Sequence, residues 1–156
     1  PSECDMIFRG NAQCAYGQQA DVIPTITRQC KCCIGCRCQR QLCRQPEARE
    51  PDLEIIKWRH SAFVGTPLEV FLIENGIRRL VISGLRTEQC CETTTRHASD
   101  LGYAVDYVLD ATLTFDMTHL DGSLLTAADI KARTAAVLTD RFARVCSVQQ
   151  ALDGAA

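Results

Sequence analysis

From Asp52 onward, apolar and polar positions follow two regular periods in turn. Leu53 to Lys57 (LEIIK) is a short apolar run that predicts a strand ending in a lysine. Thr66-Pro67-Leu68-Glu69 gathers three helix-start signals: Thr as N-cap, Pro at the first position and Glu for a capping box. Leu68, Phe71, Leu72 and Asn75 then fall on one helical face, and Gly76 closes the element. Leu80, Val81 and Ile82 form the next strand, which runs to Gly84. A short polar turn carrying two cysteines leads into a helix over 91–101, ended by Gly102. Tyr103 to Leu109 predicts a third strand, continuing into Asp110-Ala111-Thr112. After a polar loop, Thr126 and Asp129 cap a long helix in which Ile130, Thr134, Val137, Leu138 and Phe142 recur at helical spacing. Val145 to Val148 predicts a last short strand.

Strand and helix alternating in this order predict an α/β architecture: a three-layer Rossmann-like fold, with a mainly parallel sheet flanked by helices. A chain of 156 residues fits one domain, taken here as 1–156. In sheets of this kind ligands sit at the carboxyl ends of the strands. Lys57, the turn from Gly84 to Cys91, and Asp110 all fall at that end, so the topology alone gathers them.

The first third of the chain is less regular. Ala20 to Thr27 (ADVIPTIT) reads as the start of an amphipathic helix with Pro24 in its first turn. Residues 28–50 are atypical, because Arg, Gln and Cys dominate and only Ile34 and Leu42 are ordinary core residues. Six of the 11 cysteines crowd into this segment. Three readings stand side by side. Cys33-Ile-Gly-Cys36 and the thiol density suit a zinc or copper(I) module, although there is no second, separate pair at a zinc-site distance and no nearby histidine. A surface segment with incidental thiols is the plainer reading. An out-of-frame stretch of GC-rich coding sequence would give the same Arg, Cys and Gln excess.

Composition narrows the classes of partner. Hydrophobic content of 46% and charged content of 23% match a soluble globular protein, and the net charge is −2. Only Lys31, Lys57 and Lys131 are lysines, and no basic stripe interleaved with aromatics occurs, which argues against nucleic acid. No apolar run approaches the roughly 18–20 residues that span a bilayer, and the N-terminus lacks a signal-peptide pattern. The expectation is a cytoplasmic protein with no membrane partner.

The candidate chemistry centres on Arg79–Arg96, RLVISGLRTEQCCETTTR. A strand that hands a cysteine to a helix start suits a reactive thiolate, since the free N–H groups and the helix dipole favour the anion. The same N–H groups can hold an oxyanion when the thiolate attacks a carbonyl.

The wider stretch GLRTEQCCETTTRHASDLGYAVDYVLDAT resembles the isochorismatase-like cysteine hydrolases, through Gly84, Thr87, Cys90, Thr94, Ala98, Gly102, Tyr103, Asp110 and Ala111. Thr95 departs from that pattern, which has Ala there. Upstream, KWRHSAFVGTPL resembles the same family's lysine segment through Lys57, Ser61, Ala62, Phe63, Thr66 and Leu68. The resemblance implies an Asp–Lys–Cys triad, with Cys90 as nucleophile, Lys57 as the cation beside it, and Asp5 as the carboxylate that takes the thiol proton. In the family that aspartate closes the first strand; Asp5-Met6 matches its motif in part. The resemblance also implies a cis peptide at Leu85–Arg86, with the amides of Arg86 and Cys90 as oxyanion donors. His60, Trp58 and Phe63 are candidate pocket residues, whereas Cys91 reads as core, Asp110 as ordering its loop, and His97 and His119 as surface. Nicotinamidases of the family carry a metal-binding D-x-H, absent from this sequence, so neither a metal nor another cofactor is expected.

The implied activity is hydrolysis of a C–N bond in a small amide or carbamoyl substrate through a cysteine thioester. Alternatives are vinyl-ether hydrolysis of the isochorismatase type, a non-catalytic member, or a cysteine-rich metal-binding module. The expected partner is a small-molecule substrate, and the resemblance implies a homo-oligomer, dimer or tetramer.

Overall fold

The computed structural model describes residues 5–11, 23–29, 53 and 55–153, the first two segments as backbone. Strands β1 (Asp5–Asn11) and β2 (Ile23–Gln29) form an antiparallel pair, with Asp5 opposite Gln29 and Asn11 opposite Ile23. The helix predicted from Ala20 to Thr27 is therefore corrected over its described part. Ile23, Thr25, Ile26 and Thr27 are β-branched, and their stiff χ1 angles fit a pleated strand better than a helix. Residues 20–22, and the cysteine-rich stretch 30–50 with its metal-module reading, lie outside the described residues.

The framework of the described fold is a parallel sheet of β3 (Arg79–Leu85), β4 (Ala104–Leu113) and β7 (Arg144–Cys146), in the order β3-β4-β7. Period-two alternation gives its strands two apolar faces. Leu80, Ile82, Val105 and Tyr107 pack with Leu68 and Leu72 of α1 (Leu68–Glu74), Ala98 of α2 (Glu92–Asp100) and Leu138 of α3 (Ala127–Leu138). Val81 and Val108 point the other way and join Cys146 and Ala151 of α4 (Val148–Asp153) in a second, smaller core. Helices, sheet and helix make the three layers of the predicted α/β fold. No helix among the described residues is long and apolar enough to cross a membrane.

The β3–β4 register breaks at the end that carries the chemistry. Ile82 pairs with Tyr107, but Gly84 pairs with Thr112, so β4 holds extra residues between these positions. Gly84 has φ of 118°, a backbone region that favours glycine. Inside the bulge Asp110 accepts a hydrogen bond from Val148 N at 3.0 Å. It holds the start of α4 from within β4, whereas the sequence reading has it ordering the loop after the strand.

Several element boundaries move. The predicted strand over 53–57 does not form. Burial does alternate, with Ile55 in, Ile56 out and Lys57 in, but among the described residues no strand pairs with it. The capping box predicted at Thr66 is also absent. Thr66 Oγ1 instead donates to Ala62 O at 2.5 Å and accepts from Leu68 N at 3.4 Å. At α3 the box is present: Thr126 Oγ1 accepts from Asp129 N, and Asp129 Oδ2 accepts from Thr126 N, each at 3.2 Å. That helix stops at Leu138, short of Phe142, and Asp140 with φ of 59° turns the chain out of it. The polar loop before it carries a small hairpin, β5 (Met117–Thr118) with β6 (Leu124–Leu125).

Candidate active site

Two segments meet at Cys90. The first is the turn after β3. The Leu85–Arg86 peptide is cis, and residues Thr87–Cys91 form one π-helical turn before α2, where the sequence predicted helix only from Cys91. Single π-turns of this kind recur at functional sites. Arg86 O accepts from Gln89 N at 3.3 Å and from Cys91 N at 3.2 Å. From below, Tyr107 Oη donates to Thr87 O at 2.8 Å. Thr87 Oγ1 donates to Thr112 Oγ1 at 2.9 Å, which in turn donates to Leu109 O at 2.9 Å. Burial pushes the Tyr107 phenol above its ordinary range, which keeps it a proton donor in this network.

The turn sorts its two thiols. Cys90 is half-buried, whereas Cys91 is fully buried against the main core, and both are free thiols. Burial, followed by repulsion from a Cys90 thiolate, pushes the Cys91 thiol far above its usual range, and the nearby Lys57 charge offsets this only in part. Cys91 is therefore the inert partner that the sequence predicts. Cys146 is also buried and pushed up by desolvation.

The second segment is the loop from Lys57 to Thr66, which among the described residues pairs with no strand. Lys57 is only 4% exposed. Its Nζ donates to the carbonyls of Arg59 and His60, at 2.5 Å each, and so folds the loop round its own ammonium. Ala62 N donates to Thr94 Oγ1 of α2 at 3.1 Å. Ser61 Oγ accepts from Phe63 N at 3.2 Å and lies 2.8 Å from His97 Nδ1. His97 is thus corrected from a surface residue to a half-buried anchor between loop and helix, with its ring 5.2 Å from that of Phe63. Sequence reasoning missed it. The available signal was Phe63 and His97 flanking the small residues of two matched motifs. His119, by contrast, is exposed as predicted.

The loop brings His60 to the thiol: Cys90 Sγ lies 3.7 Å from His60 Nδ1. Of the other candidates, Phe63 sits in the core between His97 and Tyr103, and Trp58 is 61% exposed. Arg86 stacks over Phe115, with its guanidinium carbon 5.2 Å from the ring centroid, and its Nε lies 3.6 Å from Glu88 Oε1. Asp5 opens β1 rather than closing it, because the antiparallel pairing with β2 begins at this residue. An open hollow of about 240 Å³ lies elsewhere, lined by Leu109, Asp110, Val145, Cys146, Ser147 and Gln150. Among the described residues no group of three or more His, Cys, Asp or Glu side chains is disposed to hold a metal.

The family model for the isochorismatase domain matches residues 17–150, most of the chain. The chain belongs to the isochorismatase family. The isochorismatase family protein YrdC of Bacillus subtilis is 36% identical over 104 residues, covering 67% of this chain and 56% of that protein. The ureidoacrylate amidohydrolase RutB of Klebsiella pneumoniae is 39% identical over 72 residues, 46% of this chain and 30% of that protein. A crystal structure of an isochorismatase-family protein from Chromobacterium violaceum superposes with a TM-score of 0.61 at 37% identity, covering 64% of this chain and 51% of that one. The chain spans about half the length of YrdC and less of RutB. The lysine loop and the cysteine turn, which carry the resemblance read from the sequence, are the segments that meet at Cys90.

Proposed function

We propose that the protein is a cysteine-dependent hydrolase that cleaves the C–N bond of a small amide or carbamoyl substrate through a thioester on Cys90. One observation carries this reading: a half-buried thiol stands in a turn braced from beneath and faces a loop organised round a buried ammonium. A thiol becomes a strong nucleophile when its proton has somewhere to go and a positive charge stands near. Lys57 supplies the charge, and Asp5 is the carboxylate that the family resemblance adds as third member. Sγ adds to the substrate carbon, and the amides of Arg86 and Cys90 receive the developing oxyanion. Collapse expels the nitrogen and leaves a thioester, which water then hydrolyses. RutB, a relative named for the hydrolysis of an amide, supports C–N cleavage as the reaction class.

The test is iodoacetamide labelling near neutral pH with peptide mapping, followed by a screen of small primary amides and ureido acids for ammonia release. Cys90 labels ahead of Cys91 and Cys146, and Cys90→Ser removes any turnover found. Equal labelling at all three described thiols would sink the proposal.

A further inference from the structure

Arg86 serves the proposed reaction through its backbone amide, and its guanidinium has no part in the triad. That side chain is a half-buried cation directly after β3, in the turn that carries Cys90. Two groups beyond the end of β4 fix its place. The guanidinium carbon lies 5.2 Å from the centroid of the Phe115 ring. Glu88 Oε1 stands 3.6 Å from Nε, and Oε2 of the same carboxylate accepts from Thr114 Oγ1 at 2.6 Å. Ring and carboxylate thus hold the cation over the carboxyl ends of β3 and β4, the edge where a parallel sheet presents its ligands. The thiol of Cys90 opens from the same turn.

This cation is steered but not satisfied. Arg86 Nε and Glu88 Oε1 are both buried, and neither has a hydrogen-bond partner among the described residues. Glu88 faces the Nε edge, so the Nη1 and Nη2 donors stand beyond it for another acceptor. A guanidinium fork matches the two oxygens of a carboxylate, and such charge-assisted pairs are both strong and directional. The neighbouring Glu88 charge favours a monoanion, since a dianion would meet that carboxylate without a second cation to offset it. Lys57 is already engaged by the carbonyls of Arg59 and His60.

We propose that Arg86 is a specificity-determining residue that binds a carboxylate of the substrate, so that the compounds cleaved are amido or ureido acids in preference to their neutral analogues. The inference rests on the reading of Cys90 as the nucleophile. One residue then serves both ends of the substrate: its amide meets the developing oxyanion, and its side chain holds the acid group beyond the reacting carbon.

The experiment compares anionic with neutral probes at Cys90, in the full chain and in Arg86→Gln, Arg86→Lys and Arg78→Gln, by peptide mass mapping. The first readout is the ratio of the iodoacetate rate to the iodoacetamide rate. A change in thiol reactivity common to both reagents cancels in this ratio. The second is the protection of Cys90 from iodoacetamide by succinamate relative to succinamide, a longer pair that differs in the same charge. The parent prefers the anion in both readouts, and Arg86→Gln lowers the preference about tenfold, the scale of losing charge-assisted hydrogen bonds. Arg86→Lys, which keeps the charge and loses the fork, falls between. Arg78 is exposed and precedes β3 at its opposite end, so Arg78→Gln stays within about twofold of the parent. A fall in either readout confined to the Arg86 variants supports the inference. If Cys90 is selectively labelled and Arg86→Gln keeps the parent's preference in both, the inference is overturned while the nucleophile stands. An equal fall in Arg78→Gln overturns it too, as an effect of net charge. If the parent shows no selectivity for Cys90, the nucleophile assignment has failed, and the inference fails with it.

Discussion

Residues 79–100 and residues 57–66 deliver the two halves of the site by different means. The first run is held chiefly by its backbone, β3 paired with β4 on both sides of the bulge and α2 winding onward from the π-turn. The second has no regular element up to α1 and is held by side chains: an ammonium on two carbonyls, a threonine on one amide, and a serine against a histidine. Backbone ladders spread their stability over many equivalent bonds, so a single substitution removes little of the geometry. A loop tied by individual side chains concentrates it, and each of these ties is one residue deep.

Substitutions on the two sides should therefore differ in effect, and the largest is expected at the ammonium. Lys57→Met keeps the apolar stem and removes the donor from two carbonyls. On the proposed function, any turnover found falls by about 10²-fold or more, the scale of losing one electrostatic contact to the reacting centre, and amides 58–62 exchange faster by hydrogen–deuterium mass spectrometry. Protection of 58–62 unchanged from the parent would show that the loop does not depend on Lys57. Next comes Thr94→Val, which leaves the buried Ala62 N–H without its acceptor at nearly constant volume. Urea denaturation should register a loss of about 1–3 kcal/mol, together with slower Cys90 alkylation.

On the ladder side the effects are smaller. Buried Asp106 of β4 receives hydrogen bonds from Arg144 of β7 at 2.7 and 2.8 Å and from Arg79 of β3. Burial opposes its ionisation, but the Arg144 and Arg79 bonds outweigh that and hold the carboxyl below the usual carboxylate range. A group whose folded pKa is depressed adds stability that is complete above its unfolded value, ~3.9, and is lost as pH falls through the lower folded value. Acid titration followed by circular dichroism should show Asp106→Asn losing less stability than the parent between about pH 4 and pH 2, and no difference would show that the ion pair adds nothing. The smallest effect is expected at Thr95 of α2, fully buried with a hydroxyl that has no hydrogen-bond partner among the described residues. Thr95→Ala removes that unmet group and one methyl, and the two terms nearly cancel. Thermal melting should move by no more than about 1 kcal/mol equivalent in either direction.

The same contrast explains what could be read from the sequence. Leu80-Val81-Ile82 and the capping pair Thr126 and Asp129 announce their elements because period and cap chemistry are local. Cys90 and Cys91 could be told apart because the family pattern that the stretch resembles has an apolar residue at the second of the two positions. The lysine loop could be located by its motif but not built. LEIIK has the alternation of a strand, and whether it pairs depends on neighbours far away in the chain. His97 was missed for the same reason, since its partner Ser61 lies 36 residues upstream. The helix expected from Ala20 failed locally, where β-branched residues outweighed a helical pattern of apolar positions.

The bulge in β4 gives the two cores a common fate. Within it, Leu109 O accepts from Lys131 Nζ of α3 at 3.3 Å and from Thr112 Oγ1, while Asp110 holds the first turn of α4 on the opposite face. Thr112 also receives the hydrogen bond that braces the cysteine turn. A few surplus residues thus act as a clasp between layers. The strand end that holds the start of α4 through Asp110 is thus the one that carries Thr112, which braces the turn bearing Cys90.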